Sequence, residues 1–161
     1  MTLKKTFTCL TALTIAALFA TLPLAAQDRY KARLAPAPPL GLGGRGGTGG
    51  PPSSFVAGVG NATATLSGRK LTVNGNFEKL ASAATAAKVG LGLAPGARLD
   101  LILDLTLTKT AQATPPGTSG TIAGTFDLTP AQVDGLKKGK LYIQINSEGA
   151  PNGHLLGWLL K

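Results

Sequence analysis

Residues 98–108 read RLDLILDLTLT. Leu99, Leu101, Leu103, Leu105 and Leu107 take every second position, with Asp100, Ile102, Asp104, Thr106 and Thr108 between them. Successive side chains of a strand point to opposite faces, so this period of two sends five leucines one way and a mostly polar set the other. A helix would scatter the same leucines around its axis. The stretch predicts a strand with one buried face, and therefore a sheet protein.

The same texture extends to both sides. Upstream, Ala62, Ala64 and Leu66 alternate with Thr63 and Thr65, and Leu71, Val73 and Phe77 alternate with Thr72, Asn74 and Asn76. Gly75 fits a bulge in that second run. Downstream, Thr118–Phe126 reads as a Thr/Ile/Phe strand, and Leu141, Ile143 and Ile145 alternate with Tyr142, Gln144 and Asn146. A Gly/Pro/Asn-rich turn over 147–153 leads into a last apolar run, His154–Leu160. One helix interrupts these strands. Thr129-Pro130-Ala131-Gln132 carries a capping threonine, proline at the first helical position and glutamine where a capping box needs it. Lys137 and Lys138 suit the negative end of the helix dipole, and Gly139 can end the helix. Many short strands, frequent turns and little helix predict an all-β sandwich or barrel over residues 55–161.

Before Phe55 the composition changes. Residues 27–54 hold five prolines and a glycine-rich run, too little apolar surface to offset their ordering entropy, and read as a Pro/Gly-rich disordered tether. Residues 1–26 read as a cleavable signal peptide. Lys4 and Lys5 precede an apolar run from about Leu10 to Phe19, and the small pair Ala25-Ala26 closes it. That run is shorter than the roughly 20 residues needed to span a bilayer, so no transmembrane span is expected after cleavage. The expected location is secreted or periplasmic. Cys9, the only cysteine, leaves with the signal, and the net charge of +9 falls by two to +7 with Lys4 and Lys5.

The C-terminal third carries a family likeness. Leu128-Thr129-Pro130-Ala131-Gln132-Val133, Leu136 and Gly139, the run Leu141–Ser147, and Pro151-Asn152-Gly153 with Gly157 resemble the ending "LTPAQV..L..G.LYVNVHT...PGGEIRGQL" of the chordin-type (CHRD) domain. That domain occurs in secreted bacterial proteins and in animal chordin. Phe77, Leu80 and residues 83–88 resemble its upstream segment more loosely. The resemblance implies an immunoglobulin-like β-sandwich of non-enzymatic, binding or structural character. Three departures stand out. Lys88-Val89-Gly90 replaces the family's His-x-His. Asn146 replaces the histidine of "VHT". His154 and Leu156 replace the Glu and Arg of "GEIRG".

Little chemistry remains. One histidine without cysteine cannot build the usual three- or four-ligand zinc site, so neither cofactor nor metal is expected. Asp100 and Asp104 sit four apart on a strand, roughly 13 Å, too far to share a proton or an ion. His154 is expected at the surface or rim, and Trp158, with apolar neighbours on both faces, is expected buried. Gly41–Gly46 matches G-x-G-x-x-G by letters, but without a strand before it or a helix after it. The basic balance is the remaining hint, since an excess of cations draws anionic partners. Arg29, Lys31 and Arg33, with Lys137, Lys138 and Lys140, are the candidate polyanion contacts. Each group has a plainer reading, as part of a soluble spacer and as helix-end charge matching. The expected partner is a protein or an anionic envelope polymer. Specific nucleic-acid recognition is not expected where aromatics are few.

Overall fold

The computed structural model describes residues 27–37 and 57–161. Its strands are β1 (Asp28–Pro36), β2 (Val59–Ser67), β3 (Lys70–Glu78), β4 (Ala84–Leu91), β5 (Asp100–Lys109), β6 (Gly120–Asp127), β7 (Leu141–Ser147) and β8 (Ala150–Trp158), with helix α1 (Pro130–Lys137) between β6 and β7. They close into one barrel in the order β1-β2-β3-β6-β5-β4-β7-β8. The expected immunoglobulin-like sandwich is therefore wrong, and the reason is β1. Tyr30, Ala32 and Leu34 point into the core while Arg29, Lys31 and Arg33 point out. β1 lies antiparallel to β2 along most of its length. On its other side it meets β8 through Ala35 and Pro36, and Lys31 exchanges backbone hydrogen bonds of 2.7 and 2.9 Å with Leu160. One strand thus removes both free edges that an open sandwich would keep.

β1 comes from the stretch read as tether. Its inward residues are only Tyr, Ala and Leu, and its outward ones are cations, so its period of two is faint beside the prolines that follow. The rest of that stretch, from residue 38, and the expected signal peptide lie outside the described residues.

The leucine stretch is a strand, but its five leucines do not share a face. Leu105 is buried, and Leu103 and Leu107 pack partly against the core. Leu99 and Leu101 are 53% and 40% exposed. The cause is a bulge: Val89 of β4 pairs with Leu103, but the next residue, Gly90, pairs with Leu101. Ile102 is the extra residue, and one extra residue exchanges the two faces of the strand beyond it. Leu101 and Leu99 are turned outward.

The interior is filled by Leu34, Leu71, Val73, Phe77, Ile143 and Ile145 among others. α1 forms as expected. Thr129 Oγ1 accepts from the Gln132 amide while Gln132 Oε1 accepts from the Thr129 amide. Gly139, at φ +68°, ends it in the left-handed region that glycine adopts without strain.

Tyr30 carries one cost. Its hydroxyl is buried and has no hydrogen-bond partner among the described residues, and burial pushes its phenol up from its ordinary value. A buried unsatisfied hydroxyl is worse than no hydroxyl. Tyr30→Phe is expected to raise stability by about 1 kcal/mol in urea denaturation; a loss would mean that the hydroxyl has a partner.

Candidate functional site

Two polar surfaces and one buried polar cluster stand out on the barrel. The buried cluster centres on His154, which is 1% exposed, not at the rim as expected. Its Nε2–H donates to the Ala57 carbonyl at 2.7 Å, because a carbonyl can only accept. Its Nδ1 then accepts from the Ser147 hydroxyl at 2.7 Å. Ser147 Oγ in turn accepts from the Ser82 hydroxyl and the Ala150 amide. A serine beside a histidine has the atoms of a nucleophile and its base, but Ser147 is fully buried and a backbone carbonyl stands where an orienting carboxylate would be. The cluster ties the β7–β8 hairpin to the segment entering β2.

The first surface lies outside β4, β7 and β8. Lys88, Gly90 and Asn146, the positions of the family histidines, all face outward here, because their neighbours Val89 and Ile145 are core residues. Lys88 is ion-paired to Asp104. Gly90 lies under the Tyr142 ring, where a Cβ would sit 2.2 Å from the ring carbon Cζ. Asn146 accepts from Gln144 Nε2 at 2.8 Å, and Gln144 in turn accepts from Arg98 at 3.4 Å. These three positions converge only through the pairing of β4 with β7. Leu99 and Leu101 join them because of the β5 bulge and help line a shallow depression of about 160 Å³. Tyr142 donates to the Leu99 carbonyl at 3.2 Å, and burial pushes its phenol up. Trp158, expected buried, is half-buried and packs against Tyr142 in a tilted pair, 5.0 Å between ring centroids and 53° between ring planes. Among the described residues, no three His, Cys, Asp or Glu side chains are grouped to hold a metal ion.

The second surface lies outside β1. Arg29, Lys31 and Arg33 are all exposed, on alternate residues and so roughly 6.8 Å apart. The register extends their row across the neighbouring strands. Arg29 lies beside Thr65 and Thr72, Lys31 beside Thr63 and Asn74, and Arg33 beside Asn61 and Asn76. The next strand adds Thr125, Ala123 and Thr121. Among the described residues, these columns contain no acid and no aromatic side chain, and the three cations have no ion-pair partner.

Further cations gather at one end of this row. Lys161 pairs with Asp28 at 2.7 Å. That hydrogen bond chiefly, with the charges of Lys161 and Lys137, holds the Asp28 carboxyl below its ordinary range. Just past α1, a Cβ at Gly139 would meet Leu160 Cδ2 at 3.0 Å, and Leu160 pairs with Lys31, so the end of α1 lies beside β1 and brings Lys137 near the row. Lys138 is held by Asp134 at 2.7 Å, and Lys140 is half-buried in the connection to β7. Of the six expected contacts, four share one side of the barrel with open charge: Arg29, Lys31, Arg33 and Lys137. Lys161 is not among the six, since only closure of the barrel brings the last residue to the first strand.

The CHRD domain family profile matches residues 45–159, more than half of the chain. The chain belongs to the CHRD domain family. No match was found among curated proteins or among solved structures. The resemblance read from the C-terminal strands is therefore sound, although the fold it implied is not. β1 lies before the matched range, so this CHRD domain closes its barrel, and carries its main row of cations, on a strand that the family profile does not cover. The polarity of that wall is also the reverse of a membrane barrel's. Its apolar side chains fill the interior, and its outer face is Thr, Asn and cations where a membrane barrel has an apolar band.

Proposed function

We propose that this CHRD domain is a non-enzymatic binding module that works outside the cytoplasm and holds an anionic polymer of the cell envelope along β1. The observation that carries this reading is the fixed row Arg29, Lys31, Arg33, with no acid on the adjoining columns. A strand holds its cations at constant spacing without the ordering cost that a flexible arm would meet on binding. The buried state of Ser147 and His154 supports a role without catalysis. The signal-like residues 1–26 support an extracytoplasmic setting, and the excess of cations supports the sign of the partner.

The test is retention of the purified chain on polyglutamate-coated beads at low and high salt. Retention is expected to fall steeply with salt, because exposed charges are screened within about 8 Å at physiological ionic strength. Changing Arg29, Lys31 and Arg33 together to alanine is expected to weaken it roughly ten- to hundredfold, taking about 0.5–1 kcal/mol for each lost contact. Absent or salt-independent retention contradicts the reading.

A further inference from the structure

We infer that the polymer is an acidic polysaccharide, a chain of sugars carrying carboxylates or sulfates between ring hydroxyls. This rests on the reading of β1 as a polymer-binding face and adds which polymer that face selects. The argument comes from what flanks the cations. Lys31 and Arg33 lie beside Thr63 and Asn61, and these lie beside Asn74 and Asn76. The side chains of Asn61, Thr63, Asn74 and Asn76 make no hydrogen bond among the described residues. Hydroxyls and amides can both donate and accept. A ligand matching this face carries anionic groups along one line and neutral groups that donate and accept beside it. Acidic sugars offer that combination on every ring.

Other polyanions match only in part. Single-stranded nucleic acid gains much of its grip from bases stacked on aromatic rings, and these columns hold none. Polyphosphate carries acceptors but no hydroxyl donors along its length. An anionic membrane would favour apolar or aromatic residues that enter the headgroup layer. Three of the exposed leucines, Leu93, Leu99 and Leu101, lie along the end of β4 and the start of β5, which are separated from β1 in the barrel order. Beside the row only Val59 at the start of β2 and Leu160 opposite Lys31 are exposed among the large apolar side chains of the described residues, singly and not as a band.

The experiment compares the full chain on alginate, dextran sulfate, neutral dextran, polyphosphate, single-stranded DNA and phosphatidylglycerol vesicles at one ionic strength. Alginate or dextran sulfate is expected to bind at least tenfold more tightly, per charge, than polyphosphate, DNA or vesicles, and neutral dextran not at all. A variant with Asn61→Ala, Thr63→Val and Asn74→Ala, all away from the core, is expected to lose that tenfold preference while its polyphosphate binding stays unchanged. Lowering the pH through about 3.5, where sugar carboxylates protonate as other carboxyls do, releases alginate and leaves dextran sulfate bound. That arm separates the two kinds of acidic group. Equal binding to all the anionic polymers overturns this inference and leaves the polyanion reading standing. A preference that survives the triple variant also overturns it. Binding to none of them overturns both.

Discussion

Gly157→Val is expected to lower the stability of the domain by about 3 kcal/mol or more, among the larger effects of a single change in a packed core. A Cβ at position 157 would lie 2.5 Å from the Arg33 carbonyl oxygen, 2.9 Å from its carbonyl carbon and 2.9 Å from Leu34 Cδ2. Two of these are backbone atoms of β1, which cannot rotate away. β8 is fixed on its other side by β7, with Ile143 opposite Gly157, so β1 must leave β8 or the barrel must widen. Either outcome opens the seam. The urea midpoint should fall, and no second substitution that leaves the valine in place should restore it. Gly68→Asn is the matched control. Gly68 sits in open space at φ +61°, a conformation asparagine tolerates, and the change is expected to stay within about 0.5 kcal/mol. In an open sandwich, position 157 would lie beside a free edge, and valine, a good strand residue, would be tolerated there.

The second large effect concerns binding. Changing Arg29, Lys31 and Arg33 together to glutamate is expected to weaken binding to alginate or dextran sulfate more than a hundredfold. Each reversal removes an attraction and adds a repulsion. The fold should persist, because Tyr30, Ala32 and Leu34 provide the inward face of β1 and are untouched. Thermal unfolding within a few degrees of the parent checks that point. Reversal of Lys138 and Lys140 should have a much smaller effect. Lys138 is already engaged by Asp134, and Lys140 is half-buried. Equal losses per reversed charge from the two sets would mean that net charge, not the row on β1, governs binding.

The parts of the molecule that can be read from sequence are those whose signal is local. β2, β3 and β7 show apolar alternation within one run, and α1 carries its capping box within four residues. Three features depend on what lies across the sheet. Leu99 and Leu101 fit the leucine pattern perfectly and still face outward, because the bulge that flips them is set by pairing with Val89 and Gly90. His154 reads as a lone surface imidazole, because Ser147 and Ala57 become its partners only when the barrel assembles. β1 reads as the start of a tether, because Arg29, Lys31 and Arg33 suit a spacer as well as the outside of a strand. The cations themselves are plain in the sequence. Their arrangement in one row, and the arrival of Lys161 beside Asp28, need the closure of the barrel.

That closure links fold to function. If residues 28–36 were a loose arm, the three cations would have no fixed spacing and no Thr/Asn columns beside them. Amide hydrogen exchange along β1 tests this most directly. The Lys31 amide donates to the Leu160 carbonyl at 2.7 Å, and the strand is paired with β2 from Asp28 to Leu34. Slow exchange at Lys31, as strongly protected as at the central residues of β7, is the expected result. Exchange at Lys31 as fast as in an unfolded chain would contradict the account.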